Sequence, residues 1–366
     1  MNNTFTPSLL FERVEHARRR KRKIRETHIT LAHGSGGRAM HDLVEGVFLE
    51  HFQNPLLDKL EDQAVFGVNG ARRMAFTTDS YVVDPIFFPG GDIGTLAVHG
   101  TINDLAMSGA RPLYLSAGFI LEEGFPIDDL RRIAGSMQAA ANEAGVQIVT
   151  GDTKVVQKGG ADKIFINTSG IGVIESEVNI SAANARVGDK IVVSGTIGDH
   201  GTTIMIARGE LDLETNIASD SASLNHLVAD MIDEAASLGA IGAIHCLRDP
   251  TRGGVATTLN EIAMNSNICM EISEALIPVR EEVRGACEIL GLDPLYVANE
   301  GKLVAVISSE YADKILARMR DNKDGRGACI VGEVKAAPQG IVSLTTGFGG
   351  TRIVDMLAGE QLPRIC

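Results

Sequence analysis

Five aspartates in this chain stand where a carboxylate can do chemistry as readily as it can cap a helix. Asp62 closes an acidic pair with Glu61 just ahead of Ala64-Val65. Asp79 follows the expected strand 74–78 in Thr77-Thr78-Asp79-Ser80, and Asp152 follows the expected strand 146–150 in Gly151-Asp152-Thr153-Lys154. Asp249 lies in Arg248-Asp249-Pro250-Thr251-Arg252-Gly253-Gly254, ahead of a helical pattern. Asp104 sits mid-helix in Thr101-Ile102-Asn103-Asp104-Leu105, and a buried acid among apolar neighbours needs a partner. Carboxylates at strand ends beside glycines can converge on a hard cation such as Mg2+, which takes oxygen ligands and is usually shared with substrate phosphates. Taken singly, each is also an ordinary turn or cap residue. A second signal is His33-Gly34-Ser35-Gly36-Gly37, a glycine loop that runs into a helical pattern. Its backbone N–H groups can cradle a phosphate, or it is simply a tight turn. The third signal is the terminus, Pro363-Arg364-Ile365-Cys366. Pro363 prevents a helix from running to the end, so the expectation is an extended tail with a thiol at its tip. The terminal carboxylate disfavours the thiolate and Arg364 favours it. Such a thiol is either a stray surface cysteine or a carrier arm, loaded in one place and reacted in another.

The elements that must position these residues follow from periodicity and punctuation. A short strand is expected at 28–32 and a helix over 39–51. Strands are expected at 73–78 and 81–83. A helix over 91–109 places Ile93, Leu96, Ala97, Leu105 and Ala106 on its buried side. Pro126, with Asp128 and Asp129 behind it, opens a helix that closes near Gly145, and strands follow at 146–150 and 163–172. After Val187-Gly188-Asp189 the texture resets: a strand at 190–194, a glycine loop at 195–201 and a helix from 202. Further helices fit 221–238, 254–265, 279–290 and 310–320, with strands at 268–272, 303–307 and 329–334. This divides the chain into a basic arm (1–26), one domain over 27–185, a second over 186–345, and a flexible tail (346–366) hinged at 345–350. Strands alternate in polarity and do not keep a regular β-α-β-α rhythm, which favours an α+β fold.

Composition bounds the rest. At 366 residues the chain has room for two domains. The net charge is −13, although residues 1–26 hold eight Lys/Arg against three acids, so the body is more acidic still and a poor nucleic-acid binder. No apolar stretch approaches the ~20 residues that span a bilayer, so no membrane association is expected. The basic run 18–23 lacks the apolar core of a signal peptide. Cys246, Cys269, Cys287, Cys329 and Cys366 show no zinc spacing, and an odd, scattered count fits reduced thiols in the cytoplasm. The four internal cysteines lie in apolar segments and read as small buried hydrophobes. No P-loop or Rossmann fingerprint is present.

Taken together, HGSGG (33–37), TTDSYVVDPIFFPGGDIG (77–94), TINDLAMSGARP (101–112), VTGDTKVV (149–156), GTIGDHG (195–201), RDPTRGGVA (248–256), NEGKL (299–303) and PRIC (363–366) make a specific set. By them the chain resembles, from about residue 28 to its end, the PurM-like, AIR synthase-related ATP-binding superfamily. Within it, the chain is similar to the carbamoyl dehydratase family of [NiFe]-hydrogenase maturation. Selenophosphate synthases, thiamine-phosphate kinases and purine-pathway amidine synthetases share the fold and the Asp pattern but lack the tail. The resemblance implies a two-domain PurM-like fold and a homodimer whose N-terminal sheets pair into a barrel, with a C-terminal α+β sandwich. It implies ATP and Mg2+ as cofactors. It also implies a reaction: the carbamoyltransferase HypF loads a carbamoyl group onto Cys366, ATP phosphorylates the carboxamide oxygen, and loss of phosphate leaves a thiocyanate. The cyano group then passes to iron held by HypC–HypD.

Roles carried over on the same resemblance are Asp79, Asp104 and Asp249 at the metal. Gly34, Ser35, Gly36, Gly37, Asn103, Asp152 and Asp62 fall at the nucleotide, Asp62 away from the metal because Gln63 stands where relatives often have a second acid. Glu300 is the proton acceptor for the carboxamide nitrogen. Lys154 orients the carboxamide or holds phosphate. Glu300 and Lys154 would otherwise be salt-bridge residues, and His33 and His200 are neighbours of the site. Two other readings stay open. One is a different ATP-using enzyme of the fold, such as a small-molecule kinase or a selenophosphate synthase, for which Cys366 would be dispensable; the glycine loop carries no thiol of the selenophosphate-synthase kind. The other is a non-catalytic thiol carrier, which leaves the aspartates unexplained.

Overall fold

The computed structural model describes residues 27–366 except 53, 69–71, 176, 210–214 and 358–363. The basic segment 1–26 and Pro363 therefore lie outside the described residues. The first half builds a five-stranded sheet in the order Ala64–Val68, Arg72–Tyr81, Ile164–Ile174, Arg111–Glu122, Gln147–Val156. All neighbours are antiparallel except the last pair, which the helix Ile127–Ala144 bridges as a parallel pair requires. Gly145, in the left-handed region at φ 73°, ends that helix. A second helix, Ile93–Met107, lies across the sheet. Its N-terminus is fixed reciprocally: Asp92 accepts from the N–H groups of Gly94 and Thr95, and Thr95 Oγ1 accepts from the N–H of Asp92. The helix is buried nearly all round, because the sheet, helix 127–144 and the second domain enclose it.

The second half builds a seven-stranded sheet in the order Thr351–Val354, Ile341–Thr345, Cys269–Ser273, Cys329–Lys335, Lys190–Val193, Val304–Ile307, Ile244–Arg248. Alternate residues of its central strands feed two separate cores. Ile191, Val193, Val304 and Val306 pack with Val255 and Leu259 of helix Gly254–Ser266. Val192, Ala305 and Ile307 pack with Leu227 and Met231 of helix Asn225–Ser237 and Ile315 and Met319 of helix Ala312–Asp321. Mixed helix and mostly antiparallel sheet in two domains is the α+β architecture that the sequence indicates.

Several local expectations differ. The strand expected at 28–32 is absent, and a single 3-10 turn spans Leu31–Gly34 instead. The strand expected at 73–78 runs on to Tyr81, and the one expected at 81–83 does not form beyond that residue. The helix expected over 39–51 starts at Arg38 and passes through a wide π turn at Val44–Phe48. Seven strands lack the expected signal, among them the two-residue pair Phe87–Phe88 and Gly91–Asp92. Arg111–Glu122 carries Pro112, Ser116 and Gly118, which read as turn residues, and Ile244–Arg248 mixes His245 and Arg248 into a buried strand. Ala64–Val68, Ile341–Thr345 and Thr351–Val354 are short. The hinge expected at 345–350 is the turn of a hairpin, closed by the Thr346 N–H donating to the Gly350 carbonyl at 2.8 Å. The sheet thus extends to Val354, past the expected start of the tail, and residues 364–366 are docked against the protein rather than free.

Candidate functional site

Three elements converge on one cavity of about 290 Å³. The strand Arg72–Tyr81 supplies Asp79, the helix Ile93–Met107 supplies Asp104, and the turn between Ile244–Arg248 and Gly254–Ser266 supplies Asp249 and Arg252. Thr77, on the same face of its strand as Asp79, places its hydroxyl 2.7 Å from Asp104 Oδ2 and 3.0 Å from the Asp62 carbonyl oxygen. This answers the mid-helix acid: Asp104 has a donor on the sheet. Glu300 enters from a loop set by Asn299, whose side chain accepts from the Gly198 N–H and donates to the Pro250 carbonyl. Met40, Val44 and Leu60 give the cavity an apolar end.

The other end is overloaded with acid. Burial pushes the carboxyls of Asp62, Asp104 and Glu300 well above their usual range, with neighbouring aspartates adding to it, and raises Asp249 to about 6. Arg248 offsets part of this, pairing with Asp62 at 3.0 Å and with Glu61 and Glu261. Asp62 Oδ2 and Glu300 Oε1 remain buried with no hydrogen-bond partner. With Asp79, Asp104 and Asp249 lining the same cavity, this surplus of buried carboxylate fits a hard divalent cation. Among the described residues no three acidic, His or Cys side chains come close enough to hold a metal ion unaided.

The chain's own terminus occupies the wall of this cavity. The Val82 N–H donates to a backbone carboxylate oxygen of Cys366 at 3.0 Å and the Asp84 N–H to the Arg364 carbonyl at 3.1 Å, so the tip runs along 82–84 like an added strand. His200 Nε2 lies 2.5 Å from the Ile365 carbonyl oxygen. Arg208 donates to the carbonyls of Asp84 and Arg364, and Arg364 pairs with Asp162. Ile365 and Cys366 are 4% and 7% exposed, so the thiol is neither a stray surface group nor on a free arm. Burial, opposed by Arg252, pushes it up to about 12, so the docked sulfur carries its proton at neutral pH.

Of the expected site residues, Gly36, Asp62, Asp79, Asp104, Asp249, Glu300 and Cys366 share the cavity. Others lie elsewhere. Asp152 and Lys154 sit on the exposed outer strand Gln147–Val156, paired with each other at 2.6 Å. Asn103 faces away, its side chain holding the Leu224 N–H and the Ala222 carbonyl. Ser35 bonds to the Ala32 carbonyl. Gly37 sits against Leu357, where an added Cβ would come within 2.5 Å of the carbonyl oxygen. Gly34 accepts from Arg252 through its carbonyl. His33 is tied to Thr30, and His200 serves the tail. Sequence reasoning missed Arg248, Arg252 and Arg208. The first two lie in the quoted RDPTRGG motif and were legible there as the cations that an acidic cavity requires. Arg208 has no such signal.

Two family models match: AIR synthase related protein, N-terminal domain, over residues 60–174, and AIR synthase related protein, C-terminal domain, over 186–345. The carbamoyl dehydratase HypE of Bradyrhizobium diazoefficiens is 57% identical over 350 residues, covering 96% of this chain and 99% of that protein. Among solved structures, a HypE–HypF complex superposes with a TM-score of 0.80 at 50% identity, covering 86% of this chain and 99% of the HypE chain. A HypE in complex with ATP does so with a TM-score of 0.77 at 53% identity, covering 93% of this chain and all of that one.

Proposed function

Because the chain belongs to the HypE family of carbamoyl dehydratases, we infer that it uses ATP to dehydrate a carbamoyl group carried on its own Cys366 to a thiocyanate for hydrogenase maturation. The observation that carries this reading is the seating of Cys366 in the acidic cavity beside Asp79, Asp249 and Glu300. ATP is the second substrate, with its base toward Met40, Val44 and Leu60 and its phosphates toward the acids. Asp79, Asp104 and Asp249 would hold Mg2+, which when bound neutralises phosphate charge and aligns the γ-phosphoryl group.

The carboxamide oxygen is a poor leaving group. When it takes the γ-phosphoryl group, ADP departs, and the same oxygen can leave as phosphate. One nitrogen proton passes to Glu300 as the oxygen is phosphorylated. The second leaves with the phosphate as the C–O bond breaks, giving S–C≡N. Glu300 suits the base role by position, and neutralising its acidic neighbours favours that role, since burial, with Asp249 and Asp79 beside it, pushes its carboxyl well above the usual range.

Loading must happen elsewhere. A buried, protonated thiol is a poor nucleophile, so the tip leaves the cavity to receive carbamoyl from HypF and returns to react. HypC–HypD iron is the acceptor of the cyano group. We further place the enzyme in the cytoplasm as a homodimer. Phe76, Tyr114 and Ile120 expose 43%, 46% and 44% of their surface on strands of the N-terminal sheet, an apolar face that a second copy would cover. Lys154 and Asp152 pair in register with Ile120 and Gly118 on that sheet, where Lys154 can reach a second copy's carboxamide. The test is Glu300→Gln. It should accept carbamoyl normally and then accumulate the carbamoylated form; dehydration at the normal rate would remove Glu300 from the base role.

A further inference from the structure

Arg252 bridges two parts of the site that the sequence keeps 332 residues apart, the glycine loop and the terminal thiol. Its Nε donates to Cys366 Sγ at 2.8 Å and its Nη1 donates to the Gly34 carbonyl at 2.9 Å. The glycine loop is moulded on it: a Cβ at Gly36 would fall 2.6 Å from the Arg252 carbonyl oxygen and 2.7 Å from its Cβ. A guanidinium is planar, permanently charged and rigid, so fixing one edge on Gly34 aims the other. That edge now faces a thiol, a weak acceptor. In a carbamoylated tail the sulfur bears a carboxamide, whose oxygen is a strong acceptor one carbon away from Sγ.

We propose that Arg252 is a further catalytic residue of the dehydration, its Nε–H edge donating to the oxygen of the carboxamide on Cys366 and holding that oxygen toward the acids that line the cavity. The proposal rests on the dehydratase reading above. Arg252 transfers no proton: the oxygen takes the phosphoryl group, ADP leaves, the nitrogen loses its two protons and the C–O bond breaks. Arg252 is a fixed donor to the oxygen, which gains negative charge when the nitrogen gives up a proton and again when the C–O bond breaks. Losing one such preorganised donor typically slows a reaction about 100-fold or more. The glycine loop thereby gains a second task, seating the arginine that meets the substrate.

The experiment uses the full-length chain, loaded on Cys366 by the carbamoyltransferase with carbamoyl phosphate and then given ATP for a single turnover followed by intact mass. Arg252→Gln is expected to load as fully as the unaltered chain and to dehydrate roughly 100-fold more slowly. Arg252→Lys keeps the charge but cannot serve Gly34 and the oxygen together, so it should fall between. The lysine variant decides the matter if the glutamine variant melts early. Dehydration at the unaltered rate by either folded, loaded variant overturns the proposal. An unaltered chain that loads but never loses water in ATP would instead sink the dehydratase reading on which it rests.

Discussion

The proton on Cys366 and the protons shared among the cavity acids are set by the same wall, and each makes a prediction with a definite sign. The docked thiol titrates near 12, above the usual thiol value, so the docked state binds a proton that the free tail releases earlier. Docking is therefore at full strength below about pH 8.5 and weakens as pH rises toward 12. Trypsin release of Ile365-Cys366, read by intact mass, should be slow and quicken above that pH, whereas Cys366→Ser should lack the pH-dependent rise. Asp249 titrates at about 6, also raised. Its contribution to stability is present below about pH 4 and lost as pH rises through 6, so at pH 7 the ionised group burdens the empty protein. Asp249→Asn should accordingly raise the melting temperature of the nucleotide-free chain at pH 7 by a few degrees while abolishing turnover. A lower melting temperature would show that Asp249 holds the fold rather than the ligand. At this scale the acids were legible because their types and glycine neighbours announce them. The arginines that answer them are legible only once an acidic cavity is known to need cations.

Among the elements, the glycine loop and the outer strand show where local signals suffice and where they fail. The helix 127–144 was readable from its start and stop signals, because those are local, whereas the single buried side expected for 93–107 is not what forms, since that helix is buried nearly all round. The strand Arg111–Glu122 was not readable, since Pro112 and Gly118 are tolerated only because pairing on both sides supplies what the local sequence withholds. Asp152 and Lys154 were expected in a loop beside the site and lie within a strand facing outward, because that strand continues to Val156. In the glycine loop, Gly36 is excluded from substitution twice over: its φ is 73°, and any side chain meets the Arg252 backbone. Gly36→Ala should slow dehydration at least tenfold and speed tryptic release of the tip, since moving the loop moves Arg252. Unchanged tail protection in that variant would separate the loop from the thiol.

Over the whole molecule, the two-domain architecture and the reaction class were legible in motifs spread along nine-tenths of the chain, whereas the docked tip was not. Its partners, Val82, Asp84, His200 and Arg208, lie more than 150 residues away in sequence, and no pattern near residue 366 reports them. The apolar outer face of the N-terminal sheet belongs to the same scale. Ile120→Asp should convert the proposed homodimer to monomer in sedimentation, and with it depress dehydration, since Lys154 is proposed to act across the pair. A variant that remains dimeric would place the interface elsewhere. The central claim, however, concerns one sulfur atom. Intact-protein mass spectrometry with site mapping, on the chain incubated with HypF, carbamoyl phosphate and ATP, addresses it directly. A gain of about 43 Da on Cys366 that falls to about 25 Da as water is lost is the predicted result. ATP consumption with no adduct at Cys366 would contradict it and identify an enzyme that phosphorylates some other molecule.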